Sequence, residues 1–452
     1  MANRVYVVEK FVYRVLHEGF EPSEEEVRSV GELLGQPTKK LSVVLDRYKQ
    51  VFGRYVEKRC AGFDHEKLCL YTWSQKVPFK AFPLSMHLTG TIILFKDDKP
   101  VEVVAYPIPK ALSYAKSSDV SEEKFGFVTP REVSKRVDGW QITAYYNPLL
   151  GKWVFATRYV LHNMYFDRGK LVSEPFESIA NPYVYVAHRI AEEENLYSVL
   201  DKFRGWTITF VLEGPEPAVT KPPYPLGDDY RRYKLYALMA RDPSGKLYTW
   251  RETGELLNYR VPESVEPKKL SDLYRDVSRK LDVRSYFAYV DTGDLENPLI
   301  IELESDAYPE AMNVKYLNNA KSAAILVVDG LGHELKKIVD QRIASAIDGV
   351  EAAVESTRKL LQNLREDMYS SAAWEIARTV TEFREDADIK TGELEKALKE
   401  GNVDRVVKKV LAILLENKSL TTIDTLEMLS QFVDALRKRI ESLTRENIEQ
   451  IR

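Results

Sequence analysis

The segment SKRVDGWQITAYY, residues 134–146, decides the fold of the central part of this chain. Lys135 and Arg136 precede Asp138 and Gly139, and a run rich in β-branched and aromatic residues follows them. A polar group that contains glycine is typical of a tight turn, and the run after it is typical of a strand. The segment therefore predicts a turn that leads into a β-strand and carries a lysine, an arginine and a carboxylate.

The residues around this segment, about 68–320, contain further short runs rich in Val, Ile, Tyr and Trp. Turn-forming groups such as 96–99 and 242–246 separate these runs, which is typical of hairpins. This part of the chain is therefore predicted to be an α+β domain built on antiparallel sheets. The predicted strands are Gly90–Phe95, Val101–Tyr106, Gln141–Tyr146, Lys152–Tyr159, Trp206–Leu212, Lys234–Ala240 and Leu299–Leu303, and the predicted helices are Val184–Ala191 and Leu270–Leu281.

Both ends of the chain have a helical pattern. Ser23 and Glu26 have the spacing of a capping box at the start of a helix. All 21 prolines lie at or before Pro309, and after Gly332 apolar residues recur at three- and four-residue steps. We predict three domains: an N-terminal helical extension over 1–62, a central domain over 63–322 and an all-helical C-terminal domain over 323–452. The predicted C-terminal helices cover 335–354, 371–383, 403–415 and 422–450.

Composition excludes several classes of protein. The 452 residues include 65 Lys and Arg against 69 Asp and Glu, so the net charge of −4 excludes a strongly basic protein but allows a local basic groove. No apolar run reaches the roughly 18–20 residues of a membrane helix, and the first residues lack a signal-peptide pattern, so we expect a cytoplasmic protein. Two cysteines and six scattered histidines argue against a disulfide scaffold and a zinc site. Abundant Lys and Glu with few Asn and Gln resemble the composition of thermophile proteins.

Further segments place charged residues at the ends of predicted strands. Phe210–Glu216 ends a strand in a carboxylate and a turn, and Leu235–Asp242 ends a strand in Arg241 and Asp242. Charged groups at strand ends are candidates for binding and chemistry, because loops at sheet edges commonly carry functional side chains. Leu295–Ile301, followed by Asn313–Tyr316, is the last segment of this kind, and the segments Thr89–Phe95, Tyr106–Lys110 and Phe155–Arg158 enter through the resemblance described next.

Taken in this order, the segments resemble the motifs of the covalent nucleotidyltransferases, and most closely those of the ATP-dependent RNA ligase family typified by bacteriophage RNA ligase 1. The resemblance covers about 90–322. It implies a ligase-type fold, ATP and Mg²⁺ or Mn²⁺ as cofactors, and a lysine that attacks the α-phosphate of ATP. AMP would then pass to an RNA 5′-phosphate, and a 3′-hydroxyl would displace it. The implied partner is RNA with single-stranded or nicked ends, with tRNA as one candidate, and no oligomeric state is predicted.

The resemblance also implies roles for individual residues. A lysine nucleophile must lose its proton near neutral pH, so desolvation and neighbouring cations must lower its pKa. Carboxylates would hold the ribose or the metal ion, because they are hard oxygen ligands. The catalytic candidates are Lys135, Asp138, Gly139, Glu213, Glu296 and Lys315; the nucleotide- and phosphate-binding candidates are Lys110, Arg136, Arg158, Arg241 and Lys315; the metal-binding candidates are Glu213 and Glu296.

The chain departs from the motifs at four positions. The family spacing places the nucleophile at Arg136, and an arginine cannot lose its proton to attack. Lys135, one residue earlier, could serve only if a bulge turned its side chain to the same face. Thr89, Asn297 and Asn313 replace an arginine, a glycine and a lysine of the motifs.

Three hypotheses about function follow. The leading one is an ATP-dependent RNA ligase that works through a lysine–AMP intermediate. The alternative is a non-enzymatic protein, either a degenerate ligase fold that binds nucleotide or RNA ends without adenylation, or a scaffold whose helical tail contacts a partner. A third, an mRNA capping guanylyltransferase, shares the lysine chemistry but fits the segment before Glu213 and the helical tail less well.

Overall fold

The computed structural model describes residues 3–62, 65–74, 83–116, 119–161, 164–167, 170–173, 182–215, 217–218 and 229–451. Contacts within the chain divide it into unit 1, Met1–Val277 with Ser285–Glu304, and unit 2, Ser278–Arg284 with Ser305–Arg452. Unit 1 combines helices with sheets that are almost entirely antiparallel, and the described elements of unit 2 are helices. The predicted α+β class is therefore confirmed, whereas the division into three domains at residues 62 and 322 stays a prediction.

Unit 1 holds eight helices and fifteen strands among its described residues. The helices are α1 (Arg4–His17), α2 (Glu24–Leu33), α3 (Leu41–Arg54), α4 (Glu122–Phe125), α5 (Pro182–Glu193), α6 (Leu196–Leu200), α7 (Trp250–Leu257) and α8 (Leu270–Val277). The strands are β1 (Val56–Gly62), β2 (Glu66–Trp73), β3 (Thr89–Lys96), β4 (Lys99–Ala105), β5 (Leu112–Ser113), β6 (Glu132–Lys135), β7 (Gly139–Asn147), β8 (Lys152–Thr157), β9 (Met164–Asp167), β10 (Lys170–Ser173), β11 (Thr207–Glu213), β12 (Lys234–Arg241), β13 (Ser264–Val265), β14 (Ser285–Val290) and β15 (Leu299–Glu304).

The strands form three main sheets and one hairpin. The first sheet has the order β1-β2-β3-β4, the second β12-β11-β7-β8 and the third β13-β6-β14-β15-β5, and β9 pairs with β10. All pairs are antiparallel except β15 with β5. The seven strands predicted from the sequence are all present, because their runs of β-branched and aromatic residues face apolar neighbours.

The N-terminal helices α1 to α3 cover one face of the first sheet. Ser23 and Glu26 form the predicted capping box at α2, and Val5 and Val8 of α1 face the sheet at helical spacing. The helical prediction was wrong from Val56 onward, where β1 begins. A disulfide joins β1 to β2 at directly opposite positions, Cys60 and Cys69.

The first and second sheets pack face to face. Leu70 and Ile92 of the first sheet contact Tyr145 and Val154 of the second, and all four are buried. The opposite face of the second sheet, which includes Phe210, packs against α5 and α6. The second sheet is therefore buried on both faces, which stiffens the strands that carry the predicted motifs.

The third sheet packs against the part of the second sheet formed by β11 and β12. Val211 and Met239 contact Tyr289 and Ile300 across this interface. Of the five strands of the third sheet only β15 was predicted; the missed ones are the short strands β5 and β13 and the longer strands β6 and β14. The four residues of β6 carry no period-two apolar pattern, and β6 is buried because β13 and β14 flank it on both sides.

Unit 2 contains the helices predicted after residue 332. The helices predicted at 371–383, 403–415 and 422–450 are confirmed to within a few residues. The single helix predicted over 335–354 is two helices in the structure. The second begins after Asp340, whose side chain accepts the Ile343 N–H at 2.9 Å and caps the new helix. Among the described helices, none is long and apolar enough to cross a membrane. The helices are α9 (Tyr308–Leu317), α10 (Ala320–Val328), α11 (Gly332–Ile338), α12 (Gln341–Gln362), α13 (Tyr369–Phe383), α14 (Thr391–Lys399), α15 (Val403–Leu414) and α16 (Ile423–Ile451).

Candidate phosphate-binding site

The predicted turn at Asp138 and Gly139 leads from β6 of the third sheet into β7 of the second. Gly139 lies opposite Glu213 of β11, and a Cβ atom on it would lie 2.1 Å from the Leu212 carbonyl oxygen. Only glycine allows this close approach of two backbones. Asp138 beside it is buried. The Asp-Gly pair therefore has a structural function in joining the two sheets, whatever its part in chemistry.

Lys135 lies on the other face of the third sheet from Arg136. The pairing of β6 with β14 runs without a shift through Lys135 and Tyr286, so the bulge that this nucleophile would need is absent. Adjacent strand residues point to opposite faces. The Lys135 ammonium lies 2.7 Å from a carboxylate oxygen of Glu263 in a partly exposed ion pair. The structure therefore separates the predicted nucleophile from the residues that surround Arg136.

Arg136 occupies the position that the motif spacing assigns to the nucleophile, and a carboxylate neutralises it. Its guanidinium forms an ion pair with Glu302 of β15 and lies 5.5 Å from the centre of the Phe287 ring. The Ser285 hydroxyl donates to the same Glu302 oxygen at 2.7 Å. These contacts bring Arg136 and Glu302 together, although no motif in the sequence links the two positions.

Arg158 and Lys110 lie over one aromatic ring at the end of β2. The Arg158 guanidinium carbon is 3.1 Å from the centre of the Trp73 ring, and the Lys110 ammonium is 5.5 Å from it. Such stacking is a favourable cation–π arrangement. Gly90, at φ +102°, allows the approach, because a Cβ atom on it would lie 3.3 Å from the Arg158 Cα. The two predicted phosphate-binding residues are thus brought together.

The backbone before Lys110 is held rigidly. Pro107 and Pro109 restrict its dihedral angles, and the Thr89 hydroxyl donates to the Ile108 carbonyl oxygen at 2.7 Å. The Lys110 N–H donates to the Met86 carbonyl oxygen at 2.9 Å. Thr89, which replaces the arginine of the motif, therefore positions the loop that carries Lys110.

The electrostatics of these two cations favour an anion between them. Burial, with the positive charge of Arg158, lowers the pKa of Lys110 to about 8, although Glu302 opposes the shift. Burial lowers the pKa of Arg158 to about 10. The Nε and Nη2 groups of Arg158 are buried and find no hydrogen-bond acceptor among the residues that the structure describes. Buried donors of a cation normally have acceptors, so this arrangement lacks a negative group.

We call the set Trp73, Lys110, Arg136, Arg158 and Glu302 the cation pocket. It draws on all three sheets: Trp73 ends β2, Arg158 follows β8, and Arg136 and Glu302 belong to the third sheet. Its three cations and one carboxylate sum to +2 when Lys110 is protonated. A phosphate group carries about −1.5 to −2 near neutral pH and three strong acceptor oxygens, so its charge and geometry match this set.

Arg241, another predicted nucleotide-binding residue, is placed differently. It is 1% exposed and lies over the Tyr106 ring at 3.7 Å. Its guanidinium donates to the carbonyl oxygens of Tyr106, Gly245 and Glu296 at 3.0, 2.6 and 2.5 Å. Three loops are tied together by these bonds, so Arg241 has a structural function and its predicted role in binding finds no support in its contacts.

The two predicted metal-binding carboxylates are not part of a metal cluster. The Tyr236 hydroxyl donates to Glu213 at 3.3 Å, beside Gly139. Glu296 lies in the loop before β15, and its backbone carbonyl oxygen accepts a hydrogen bond from Arg241. No group of three or more His, Cys, Asp or Glu side chains that could hold a metal ion occurs in the described part of the chain.

Lys315 was predicted to lie in a strand, and this was wrong. It lies on α9 of unit 2 and is exposed. The strand β15 ends at Glu304, and α9 begins at Tyr308. Pro309 stands in the first turn of α9, where its missing N–H breaks no hydrogen bond of the helix. The catalytic and phosphate-binding roles of Lys315 stay predictions.

Sequence reasoning missed Trp73, Ser285 and Glu302. Trp73 belongs to a strand that was not predicted, and Ser285 begins another. Glu302 was visible only as one acidic residue among several near the end of the chain's β-rich part. Its position inside the predicted strand Leu299–Leu303, whose other residues are apolar, was the one signal that it is part of a buried strand.

Comparisons with known proteins place ligases among the similar folds. No protein-family profile and no curated protein sequence match this chain. A Naegleria gruberi RNA ligase variant with ATP and Mn is 14% identical, with a TM-score of 0.29, over 42% of this chain and 53% of that one. A putative ATP-dependent DNA ligase from Aquifex aeolicus is 13% identical, with a TM-score of 0.35, over 71% and 75%. A Naegleria gruberi RNA ligase variant with AMP and Mn is 10% identical, with a TM-score of 0.29, over 57% and 97%. The chain thus spans about half the length of the first of these structures.

Proposed function

We propose that unit 1 is a ligase-type nucleotidyltransferase domain that binds the phosphates of ATP and of RNA 5′ ends in the cation pocket. One observation carries the proposal: Arg158 holds two buried N–H groups without an acceptor in the described residues, beside a second cation over the same ring. Leaving such donors unsatisfied costs about 1–3 kcal/mol each, and a bound phosphate would satisfy them.

A divalent metal ion would have to arrive with the triphosphate. The described residues contain no cluster that could hold one by itself. Mg²⁺ usually keeps several waters and is held by one or two carboxylates together with substrate phosphates. Glu213 is a candidate for such a single contact, since it lies beside the turn that joins the two sheets. The ion would offset the negative charge of the phosphates next to the pocket.

The fuller form of the proposal is an ATP-dependent RNA ligase that joins a 5′-phosphate to a 3′-hydroxyl. It requires a lysine that loses its proton near neutral pH beside the α-phosphate. A second candidate function is binding of nucleotide or RNA ends without adenylation. The observation that favours it is the ion pair of Arg136 with Glu302, which fills the motif position of the nucleophile with a neutralised arginine.

Direct binding measurements test the proposal. Purified protein would be titrated with ATP and with RNA oligonucleotides that carry either a 5′-phosphate or a 5′-hydroxyl. We expect ATP and the phosphorylated RNA to bind, and binding to fall at least tenfold in Arg158→Met. Arg204→Met is the matched control, because Arg204 lies 4.7 Å from the centre of the Tyr146 ring outside the pocket. Equal affinity for both RNA ends, or equal losses in the two variants, would contradict the proposal.

Incubation with α-labelled ATP and Mg²⁺ or Mn²⁺ separates the two candidate functions. Acid-labile label on the protein, followed by joining of RNA ends, supports the ligase. Binding without label on the folded protein supports an end-binding protein. A matched DNA oligonucleotide with a 5′-phosphate tests whether RNA is the preferred substrate.

A further inference from the structure

The cation pocket contains a lysine, and the motif position of the nucleophile does not. Arg136 cannot lose its proton, and Lys135 faces away from the pocket toward Glu263. We propose that Lys110 is the nucleophile of this domain and forms a covalent bond to AMP taken from ATP. The inference rests on the proposed binding of ATP in the cation pocket and assigns a reaction to a residue that the motif spacing marks only as a phosphate ligand.

The position of Lys110 suits attack on a bound phosphate. Its ammonium lies over the Trp73 ring that also supports Arg158, so a phosphate held by Arg158 would be next to it. The loop that carries it is stiffened by two prolines and fixed by the hydrogen bond of Thr89 to Ile108. A nucleophile on a rigid loop beside its substrate gains rate, because little motion remains to be ordered in the transition state.

The charges around Lys110 favour the neutral amine. Burial is the main cause of the lowered pKa of Lys110, and Arg158 over the same ring lowers it further; Glu302 of β15 opposes both but shares its charge with Arg136. With a pKa of about 8, roughly a quarter of the Lys110 side chains would be neutral at pH 7.5. An ordinary lysine would be neutral in only about one molecule in a thousand at that pH.

The reaction balances with ATP as the only co-reactant. The Lys110 ammonium first gives one proton to solvent, which leaves a lone pair on Nζ. That pair forms a bond from nitrogen to the α-phosphorus, and the bond from this phosphorus to the bridging oxygen of the β-phosphate breaks. Pyrophosphate leaves with the electron pair, a second proton passes from nitrogen to solvent or to the departing pyrophosphate, and the third proton stays on the phosphoramidate nitrogen. Arg158 and Arg136 would stabilise the negative charge on the phosphate oxygens during the transfer.

Labelling of variants tests the proposal, with ATP binding measured separately on each. Lys110→Arg keeps the charge but cannot attack, so we expect ATP to bind within about threefold of wild type and the acid-labile label to disappear. Lys246→Arg is the matched control, because Lys246 lies 4.3 Å from the centre of the Tyr248 ring outside the pocket. Lys135→Ala is also expected to keep the label. Peptide mapping should place AMP on the peptide that contains Lys110.

The outcomes distinguish the assignment of Lys110 as the nucleophile from the proposed binding of ATP in the cation pocket. Label that persists in Lys110→Arg, or that maps to another lysine, overturns the assignment. Wild-type protein that binds ATP but takes no label between pH 7 and 9 overturns the inference and leaves the proposed binding intact. Failure of wild-type protein to bind ATP overturns both. As a second readout, the rate of labelling should rise with pH through about 8, since only the neutral amine attacks.

Discussion

Arg241 and Arg158 of unit 1 each lie over an aromatic ring, and their surroundings differ in what satisfies the guanidinium. Arg241 over Tyr106 donates to three backbone carbonyl oxygens and leaves only Nη2 without a described acceptor. Arg158 over Trp73 leaves both Nε and Nη2 without one. Burial lowers the pKa of each. The same residue type on the same kind of ring is therefore structural where the chain supplies the acceptors and available to a ligand where it does not.

The origin of the acceptors explains the difference. The carbonyl oxygens around Arg241 belong to turns between strands, so the folded chain itself supplies acceptors to Nε and Nη1 of this cation. Lys110 repels the charge of Arg158, and the Glu302 carboxylate that acts on Lys110 is already bonded to Arg136 and Ser285. A buried cation with repulsive neighbours is unfavourable for stability, and such sites are typical of function.

The largest expected effect is on stability. Arg241→Met removes the donor for three buried carbonyl oxygens and should lower the free energy of unfolding by about 3 kcal/mol or more. Arg158→Met should not lower it by more than about 1 kcal/mol, because Nε and Nη2 make no hydrogen bonds to lose and the substitution removes two unsatisfied buried nitrogens. Urea unfolding followed by tryptophan fluorescence checks this, since five of the six tryptophans lie in unit 1. Equal losses of unfolding free energy in Arg241→Met and Arg158→Met would contradict the distinction between a structural and a ligand-binding arginine.

The second largest expected effect is on AMP binding, where Arg158 matters rather than Arg241. Arg158→Met should weaken AMP binding about 10- to 100-fold, because charge-assisted hydrogen bonds contribute about 1.5–3 kcal/mol. Calorimetric titration with AMP measures the affinity, and Arg204→Met should change it less than twofold. A small loss in Arg158→Met would show that the two buried N–H groups do not face the ligand.

The pH dependence of AMP binding sharpens the comparison. The pKa of Lys110 is lowered to about 8, so the side chain is mostly charged below that pH and mostly neutral above it. The AMP phosphate is already fully ionised above pH 7.5. Affinity should therefore fall about five- to tenfold between pH 7.5 and 9, and this fall should vanish in Lys110→Met. A flat profile for the wild type would mean that Lys110 does not contact the phosphate.

The smallest expected effect comes from the carboxylate of the cation pocket. Glu302→Gln keeps the volume of the side chain but removes the charge that neutralises Arg136. The guanidinium then becomes a third cation for the phosphate, so AMP should bind about threefold more tightly. Weaker binding in this variant would instead show that Glu302 holds Arg136 in the position that the ligand needs. The affinity of Glu302→Gln is best compared with that of Glu263→Gln, since Glu263 pairs with Lys135 on the opposite face.

The sequence by itself determined the local structure and selected three of the pocket residues, Lys110, Arg136 and Arg158. Runs of β-branched and aromatic residues predicted seven strands, and the capping box at Ser23 predicted the start of a helix, because these signals act over a few neighbouring residues. The order of the motif segments also selected Lys110 and Arg158 as phosphate ligands, and the structure brings both to one ring.

The tertiary structure decided which of the candidate residues face one another. The register of β6 sets the face of Lys135, and a shift of one residue would have reversed it. The bond of Arg136 to Glu302 joins strands that lie more than 160 residues apart in the chain. Arg241 donates to carbonyl groups whose approach depends on three separate turns. Ion pairs and hydrogen bonds of this kind depend on distances between remote segments, which no local pattern of residues encodes.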